Sequence, residues 1–406
     1  MQIIDGGVTA PKGFQAAGIY AGIKKKRKDM AMIYSAAPCK AAGVFTTNQV
    51  KAAPVKWDQK VVTESQFVKA VVINSGVANA CTGAKGYEYC ADMAKEAGAV
   101  LDIPTDSVLV ASTGVIGKQL PMDIIKEGIK VLSENLGTTR LSAGLAAEAI
   151  MTTDTKAKEV AVQVKIKETT VTLAGMCKGS GMIHPNMATM LCFVTTDANI
   201  SKEMLQKALS TDVKDTFNMI SVDGDTSTND SVLLMANGLA GNEEIVAEGA
   251  DYDLFYEALH YVMEELSKMI AGDGEGATCL FEVKAIHANT KEQAVAISKS
   301  VVTSNLTKAA IFGHDANWGR ILCAMGYSGA AFQPDMVDIF FASKAGKIKI
   351  VENGMATDYS EEEATRILSQ EAVTAVVDLK MGEMEATAWG CDLTLDYVKI
   401  NADYRS

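Results

Sequence analysis

Apolar positions in this chain recur in two rhythms, interleaved from end to end. Short continuous or alternating runs rich in Val, Ile, Thr and Phe predict strands, and longer runs spaced by three and four predict helices. Residues 8–50 read as short strands and turns, with 30–34 and 43–47 strand-like. The apolar run 70–73 ends in the small-residue loop Asn74-Ser75-Gly76-Val77-Ala78-Asn79-Ala80. Helical spacing over 84–99 is followed by a strand at 107–111, which opens into Ser112-Thr113-Gly114. Helices are predicted at 122–135 and 141–151, and a hairpin at 160–167 and 170–175. An apolar, β-branched run at 190–196 reads as a buried strand. Beyond it the pattern predicts helices at 202–219, 252–270, 292–304 and 360–373, and strands at 279–283, 336–351 and 382–394. Hairpin-like strand runs interleaved with amphipathic helices predict α/β layers rather than βαβ repeats. No internal repeat or low-complexity linker interrupts them.

A length of 406 residues suggests two or three structural units rather than one small core. The net charge of −12 argues against nucleic acid as a main partner, which would want a basic face. The chain has no apolar run of about 18 residues that could span a membrane. Its first residues lack the basic and apolar segments of a signal peptide, so a cytoplasmic location is expected. The eight cysteines show no CxxC spacing and are expected to be reduced, buried thiols. Cys177 and Cys192 flank the central stretch described next, and packing is expected of both. The four histidines form no HxH or HExxH pattern, so no metal site is expected. The basic cluster Lys24-Lys25-Lys26-Arg27-Lys28 reads as a solvated hairpin turn, with contact to the phosphates of an acyl-carrier cofactor as the alternative.

The candidate chemistry centres on Lys178-Gly179-Ser180-Gly181-Met182-Ile183-His184-Pro185-Asn186-Met187-Ala188-Thr189-Met190-Leu191. Glycines, a proline and an asparagine loosen this backbone before it enters the apolar strand. Thr189 therefore stands where a tight loop meets a core strand. An ordinary threonine there would bond its hydroxyl to nearby backbone. The alternative is self-processing: the hydroxyl attacks the Ala188 carbonyl, an ester forms, and water cuts it. Thr189 would then be a new N-terminus, its hydroxyl the nucleophile and its own α-amine, titrating near ~8, the base.

The run KGSGMIHPNMATML closely resembles the processing motif of the ornithine acetyltransferase family, the glutamate N-acetyltransferases of arginine biosynthesis. The resemblance implies an α/β sandwich of the ornithine acetyltransferase and self-processing aminopeptidase type, superficially like N-terminal-nucleophile hydrolases. It implies cleavage between Ala188 and Thr189 into pieces 1–188 and 189–406, the second carrying the nucleophile, and pairing of the pieces as α2β2. It further implies that Thr113 and Gly114 stabilise the oxyanion, and that Thr152, Lys178, Thr189, Glu275, Asn401 and Ser406 contact substrate. Many members end in Thr where this chain has Ser406; the hydroxyl is kept. A Thr-Gly pair at a strand end also reads as an ordinary turn, Lys178 as a surface lysine and Glu275 as a solvated loop acid. The loop Gly313-His314-Asp315-Ala316-Asn317-Trp318-Gly319-Arg320 is expected to shape the site. The loop 223–230 faintly resembles a calcium loop but lacks its twelfth-position glutamate, so closure over substrate is expected instead. The implied reaction moves acetyl from N-acetylornithine to glutamate by a ping-pong acetyl-Thr189 route, with no permanently bound cofactor and with acetyl-CoA as a further substrate if the enzyme is bifunctional. A self-processing aminopeptidase and a non-enzymatic binding protein of the same fold are the rival readings.

Overall fold

The computed structural model of the chain describes residues 1–184 and 190–403, which fall into two compact units. The first holds the described residues of 1–179, 190–218 and 226–266. The second holds 180–184, 219–225 and 267–403.

The strands of the first unit are β1 (Gln2–Ile4), β2 (Phe14–Ile19), β3 (Met30–Phe45), β4 (Val68–Val77), β5 (Val108–Val115), β6 (Lys158–Ile166), β7 (Thr169–Lys178), β8 (Leu191–Thr196) and β9 (Ser231–Ala236). Its helices are α1 (Ala53–Glu64), α2 (Gly83–Leu101), α3 (Met122–Glu134), α4 (Arg140–Ile150), α5 (Lys202–Asp212) and most of α6 (Ala250–Gly272). The strands form one mixed sheet in the order β1-β6-β7-β8-β9-β3-β4-β5, with β2 also paired to β3. β8–β9 and β4–β5 are parallel pairs.

β3 joins the two halves of this sheet. Residues 30–34 pair with β2 and β4, and residues 40–45 pair with β9. The sequence reads as two strands here, but the structure makes one. The register shifts between Tyr34 and Cys39, around Pro38, which has no N–H to give a ladder. The continuous apolar runs are buried on both faces, as expected for strands covered by helices. Val71, Ile73 and Leu109 pack with Ala143, Ala146, Ala147 and Ile150 of α4. Val72 and Val110 face the other way, onto Met93 of α2 and Ile125 and Ile129 of α3. Small residues let α4 lie very close to β2. A Cβ added at Gly18 would stand 1.9 Å from the Leu145 carbonyl oxygen.

The second unit has β10 (Leu280–Ala288), β11 (Asp338–Ser343), β12 (Gly346–Glu352), β13 (Met355–Ala356), β14 (Ala372–Asp378) and β15 (Met384–Cys391), ordered β13-β12-β11-β14-β10-β15. Its helices are α7 (Lys291–Thr303), α8 (Asn305–Phe312), α9 (Trp318–Gly326), α10 (Glu361–Leu368) and α11 (Leu395–Ala402). Two expectations fail here and one in the first unit. The helix expected over 360–373 stops at Leu368, and 372–378 is a central strand in which Val373, Ala375 and Val377 are buried on one face. Helices α8 and α9 have no counterpart among the elements that the pattern predicts. In the first unit, the helix expected over 202–219 ends at Asp212 and gives way to a tighter turn at Phe217–Met219.

Six of the eight cysteines are buried, but Cys81 and Cys323 are exposed, against expectation. Cys177 and Cys192 are register partners across β7 and β8. Burial pushes the Cys192 thiol well above its usual range, which suits packing rather than thiolate chemistry. No helix among the described residues is long and apolar enough to cross a membrane.

Gly18→Ala should lower unfolding stability towards the upper end of the roughly 1–3 kcal/mol typical of overpacking, because the obstacle is backbone and cannot swing aside. Urea unfolding of the two proteins checks this, and an unchanged midpoint would mean that α4 can shift freely.

Candidate active site

The Thr113-Gly114 pair does not lie in a turn after its strand, as expected; it lies inside β5. Ser75 pairs with Thr113 and Gly76 with Gly114, and the register breaks immediately afterwards. Gly114 has φ +130° and Gly76 has φ +107°, a region that favours glycine. A Cβ on Gly114 would come within 2.3 Å of the Gly76 carbonyl carbon. Two glycines therefore allow the parallel pair to part from regular geometry next to Thr113. Polar side chains fix this backbone. Ser112 Oγ donates to Asn74 Oδ1 at 2.6 Å, and Asn74 Nδ2 donates to the Val77 carbonyl at 2.9 Å. Asn229 Nδ2 donates to the carbonyls of Ala78 (2.5 Å) and Ser112 (2.8 Å). Asn229 comes from the loop expected to close over substrate; nothing local to it signals this bracing role.

Thr152 follows the end of α4. Its N–H donates to Asp154 Oδ2 at 3.0 Å. The same carboxylate accepts from the Gly179 N–H (2.7 Å) and from Lys158 Nζ (2.7 Å), whose side chain is 2% exposed. Burial alone would raise the Asp154 pKa. The charges of Lys178 and Lys158, with these hydrogen bonds, hold it below the usual carboxylate range instead. Lys178 closes β7, opposite Leu191 of β8, and is 7% exposed. It is not a surface lysine. Among the described residues, no side chain or carbonyl accepts a hydrogen bond from its ammonium, although Asp154 lies near enough to feel its charge.

The basic cluster holds a further inward-facing residue that its pattern does not reveal. Lys25, Lys26 and Arg27 are exposed, as a solvated turn requires, although Arg27 Nη1 also donates to the Thr152 carbonyl at 3.3 Å. Lys24 turns inward and donates from Nζ to the Met151 carbonyl at 2.8 Å. Burial lowers its pKa to about 8 against the raising effect of Asp29. Asp29 shapes the turn by accepting from the N–H groups of Ala21, Gly22 and Lys24.

Glu275 belongs to the second unit and is 7% exposed, not solvated. Its N–H donates to the Ser180 carbonyl at 2.9 Å. Gly181 of the central motif leaves the space its carboxylate fills, since a Cβ there would lie 2.4 Å from Glu275 Cδ. Asn401, on α11, donates from Nδ2 to Glu275 Oε2 at 2.7 Å. The tail is therefore folded at least through Ala402 rather than frayed. Asp223 anchors the same motif by accepting from the Met182 (2.6 Å) and Ile183 (2.8 Å) N–H groups. The 313–320 loop acts locally. Asn317 caps α9 by accepting from the Arg320 N–H, and Arg320 donates to the Leu306 carbonyl. Ala188, Thr189 and Ser406 lie outside the described residues. Thus Thr152 and Lys178 share the Asp154 network, Glu275 and Asn401 touch, and Thr113 with Gly114 forms a separate braced stretch of the first unit.

The model of the ArgJ family matches residues 15–406. The chain belongs to the ArgJ family. It is 52% identical over 406 residues to a Caldanaerobacter subterraneus relative and 51% identical over 397 residues to one from Thermotoga neapolitana, each named arginine biosynthesis bifunctional protein ArgJ. These alignments cover 100% of both chains in the first case, and 98% of this chain and 99% of the relative in the second. Among solved structures, an ArgJ from Bacillus halodurans is 44% identical with TM-score 0.45, covering 46% of this chain and 97% of that one. An ornithine acetyltransferase from Mycobacterium tuberculosis, complexed with ornithine, is 42% identical with TM-score 0.44, covering 46% of this chain and 99% of that one. An aminopeptidase from Ochrobactrum anthropi described as a variant of the Ntn hydrolase fold is 11% identical with TM-score 0.41, covering 68% of this chain and 88% of that one. Within this ArgJ-family chain, the network around Asp154 carries Thr152 and Gly179 beside Lys178.

Asp154→Asn should cost about 3–5 kcal/mol at neutral pH, because it removes the carboxylate charge that offsets the buried Lys158 ammonium. The Asp154 pKa is depressed in the folded state, so its contribution is present above the ordinary carboxylate value near ~3.9 and is lost as pH falls below it. Urea unfolding at neutral and acid pH should show the two proteins converging in acid; parallel curves would show that Asp154 carries no linkage.

Proposed function

We propose that this chain is a self-processing acetyltransferase of arginine biosynthesis, moving the acetyl group of N2-acetylornithine to glutamate through an acetyl-Thr189 intermediate. The observation that carries the reading is Lys178 itself, 7% exposed and set beside the Asp154 network where the KGSGMIHPNMATML run begins. A buried cation is costly unless paired, and a substrate carboxylate would pair it. The names of the relatives, bifunctional ArgJ proteins and an ornithine acetyltransferase, support the same chemistry.

In this reading the Thr189 hydroxyl attacks the Ala188 carbonyl, and the acyl group passes from nitrogen to oxygen. Water then hydrolyses the ester. Ala188 keeps the new carboxylate and Thr189 the new α-amine, giving pieces 1–188 and 189–406 that pair as α2β2. In turnover that amine takes the proton of its own hydroxyl while the oxygen attacks the acetyl carbonyl. The oxyanion is met by the Thr113 hydroxyl and the Gly114 N–H, groups whose value lies in being fixed before charge develops. Collapse expels the α-amine of ornithine, which takes the proton back. The α-amine of glutamate then attacks the acetyl ester, and N-acetylglutamate leaves. One hard transfer becomes two easier steps. Thr152 and Lys178 hold the amino-acid portion. Glu275, oriented by Asn401, offers a carboxylate to the ornithine side-chain ammonium. Ser406 supplies a further hydroxyl contact. In a bifunctional enzyme acetyl-CoA charges Thr189 directly. No resident cofactor is needed, and a cytoplasmic enzyme fits the pathway.

Intact mass before and after mixing with N-acetylornithine tests this. Two pieces are expected, the one beginning at Thr189 gaining one acetyl group, while Thr189→Ala should remain one 43.1 kDa chain. A wild-type chain that stays whole and takes no acetyl would remove the mechanism. Thr113→Ala should lower kcat by about 10²- to 10³-fold with little change in KM, the size of effect seen when one oxyanion donor is lost. Steady-state kinetics on the processed enzyme measure it; an equal rise in KM would assign Thr113 to substrate binding instead.

A further inference from the structure

We propose that Lys24 is a specificity residue that binds the side-chain carboxylate of the acceptor amino acid, beside Lys178, which takes the α-carboxylate. This rests on the acetyl-transfer reading above. Two contacts and one charge effect within the first unit place Lys24 among the candidate residues. Its Nζ donates to the Met151 carbonyl at 2.8 Å, the peptide that leads into Thr152. Its stem lies on Gly76, where an added Cβ would meet Lys24 Cγ at 3.0 Å, and Gly76 is the register partner of Gly114. Its charge is felt alongside those of Asp154 and Lys178. One side chain thus spans the Thr113-Gly114 stretch and the Thr152 stretch.

The charge balance around it points to an anion with two carboxylates. Lys158 is matched by Asp154 at 2.7 Å. Asp29 offsets part of the Lys24 charge while its oxygens accept from the N–H groups of Ala21, Gly22 and Lys24, and the Arg27 guanidinium adds a further positive charge, donating to the Thr152 carbonyl at 3.3 Å. Lys24, Arg27 and Lys178 are near enough for each of the last two to act on the charge of Lys24, so positive charge exceeds negative around Met151 and Thr152. An ammonium has three donors, and Lys24 spends one on Met151. N-acetylornithine carries one carboxylate, whereas glutamate and its acetylated product carry two. A charged hydrogen bond at Lys24 would separate glutamate from neutral acceptors of the same shape. The lowered pKa of about 8, caused first by burial and opposed by Asp29, with Arg27 and Lys178 lowering it and Asp154 raising it, fits a cation whose charge a ligand carboxylate would stabilise.

The test compares wild type, Lys24→Met and Lys24→Arg in two measurements. Calorimetry measures binding of N-acetylglutamate and N-acetylglutamine, which differ in side-chain charge. Single-turnover mixing with N-acetylornithine measures acetylation of the enzyme. Lys24→Met should weaken N-acetylglutamate roughly 10- to 100-fold, the worth of one hydrogen bond to a charged group. It should leave N-acetylglutamine and the acetylation rate within about threefold, and Lys24→Arg should restore much of the preference. An unchanged preference overturns the proposal. So does equal loss for both ligands with slowed acetylation, which would make Lys24 a brace for Met151. If wild type forms no acetyl-enzyme yet Lys24→Met still abolishes the preference, the transfer reading falls and the carboxylate site stands.

Discussion

Thr152 and Lys178 depend on one buried carboxylate. Asp154 accepts from a lysine ammonium and two backbone N–H groups, and each of those partners belongs to a different stretch of chain. Such a group is expensive to bury alone and stabilising only when its surroundings are complete. Its requirement is therefore a structural constraint. The end of α4, the start of β6 and the end of β7 must meet at Asp154, and where they meet, Thr152 and Lys178 are presented together.

Close backbone approach is the second constraint. Gly76 and Gly114 let the β4–β5 pair depart from its ladder beside Thr113, and Asn74 and Asn229 then hold the departed backbone. An oxyanion site gains from donors that do not reorganise during reaction, so rigid bracing is the property such a site needs. In the second unit Gly181 plays a comparable part, yielding the space in which the Glu275 carboxylate meets Asn401. The two surroundings differ in polarity: ammonium groups gather in the first unit and a carboxylate stands in the second.

The sequence by itself determined the layered α/β class and most of the long elements, and its motifs carried the resemblance from which the candidate chemistry was drawn. Periodicity is a local property, and α6, β4 and β8 are long or apolar enough for it to be unambiguous. The fourteen-residue run around Thr189 stands out locally, its small and turn-forming residues directly before a core strand, but its chemistry was read from its resemblance to the family motif and not from that pattern. Tertiary structure decided the rest. It made 372–378 a strand, since only pairing with β10 and β11 distinguishes that run from a helical continuation. It joined 30–45 into one strand by giving the two ends different partners. It separated Lys24 and Arg27, which reach the carbonyls of Met151 and Thr152, from Lys25 and Lys26, which are alike in sequence and lie towards solvent. It set Asn401 against Glu275 across 126 positions of chain. Local pattern reports which face of an element is apolar. Desolvation, charge pairing and register depend on residues far away in the chain, so they exist only once the chain has folded.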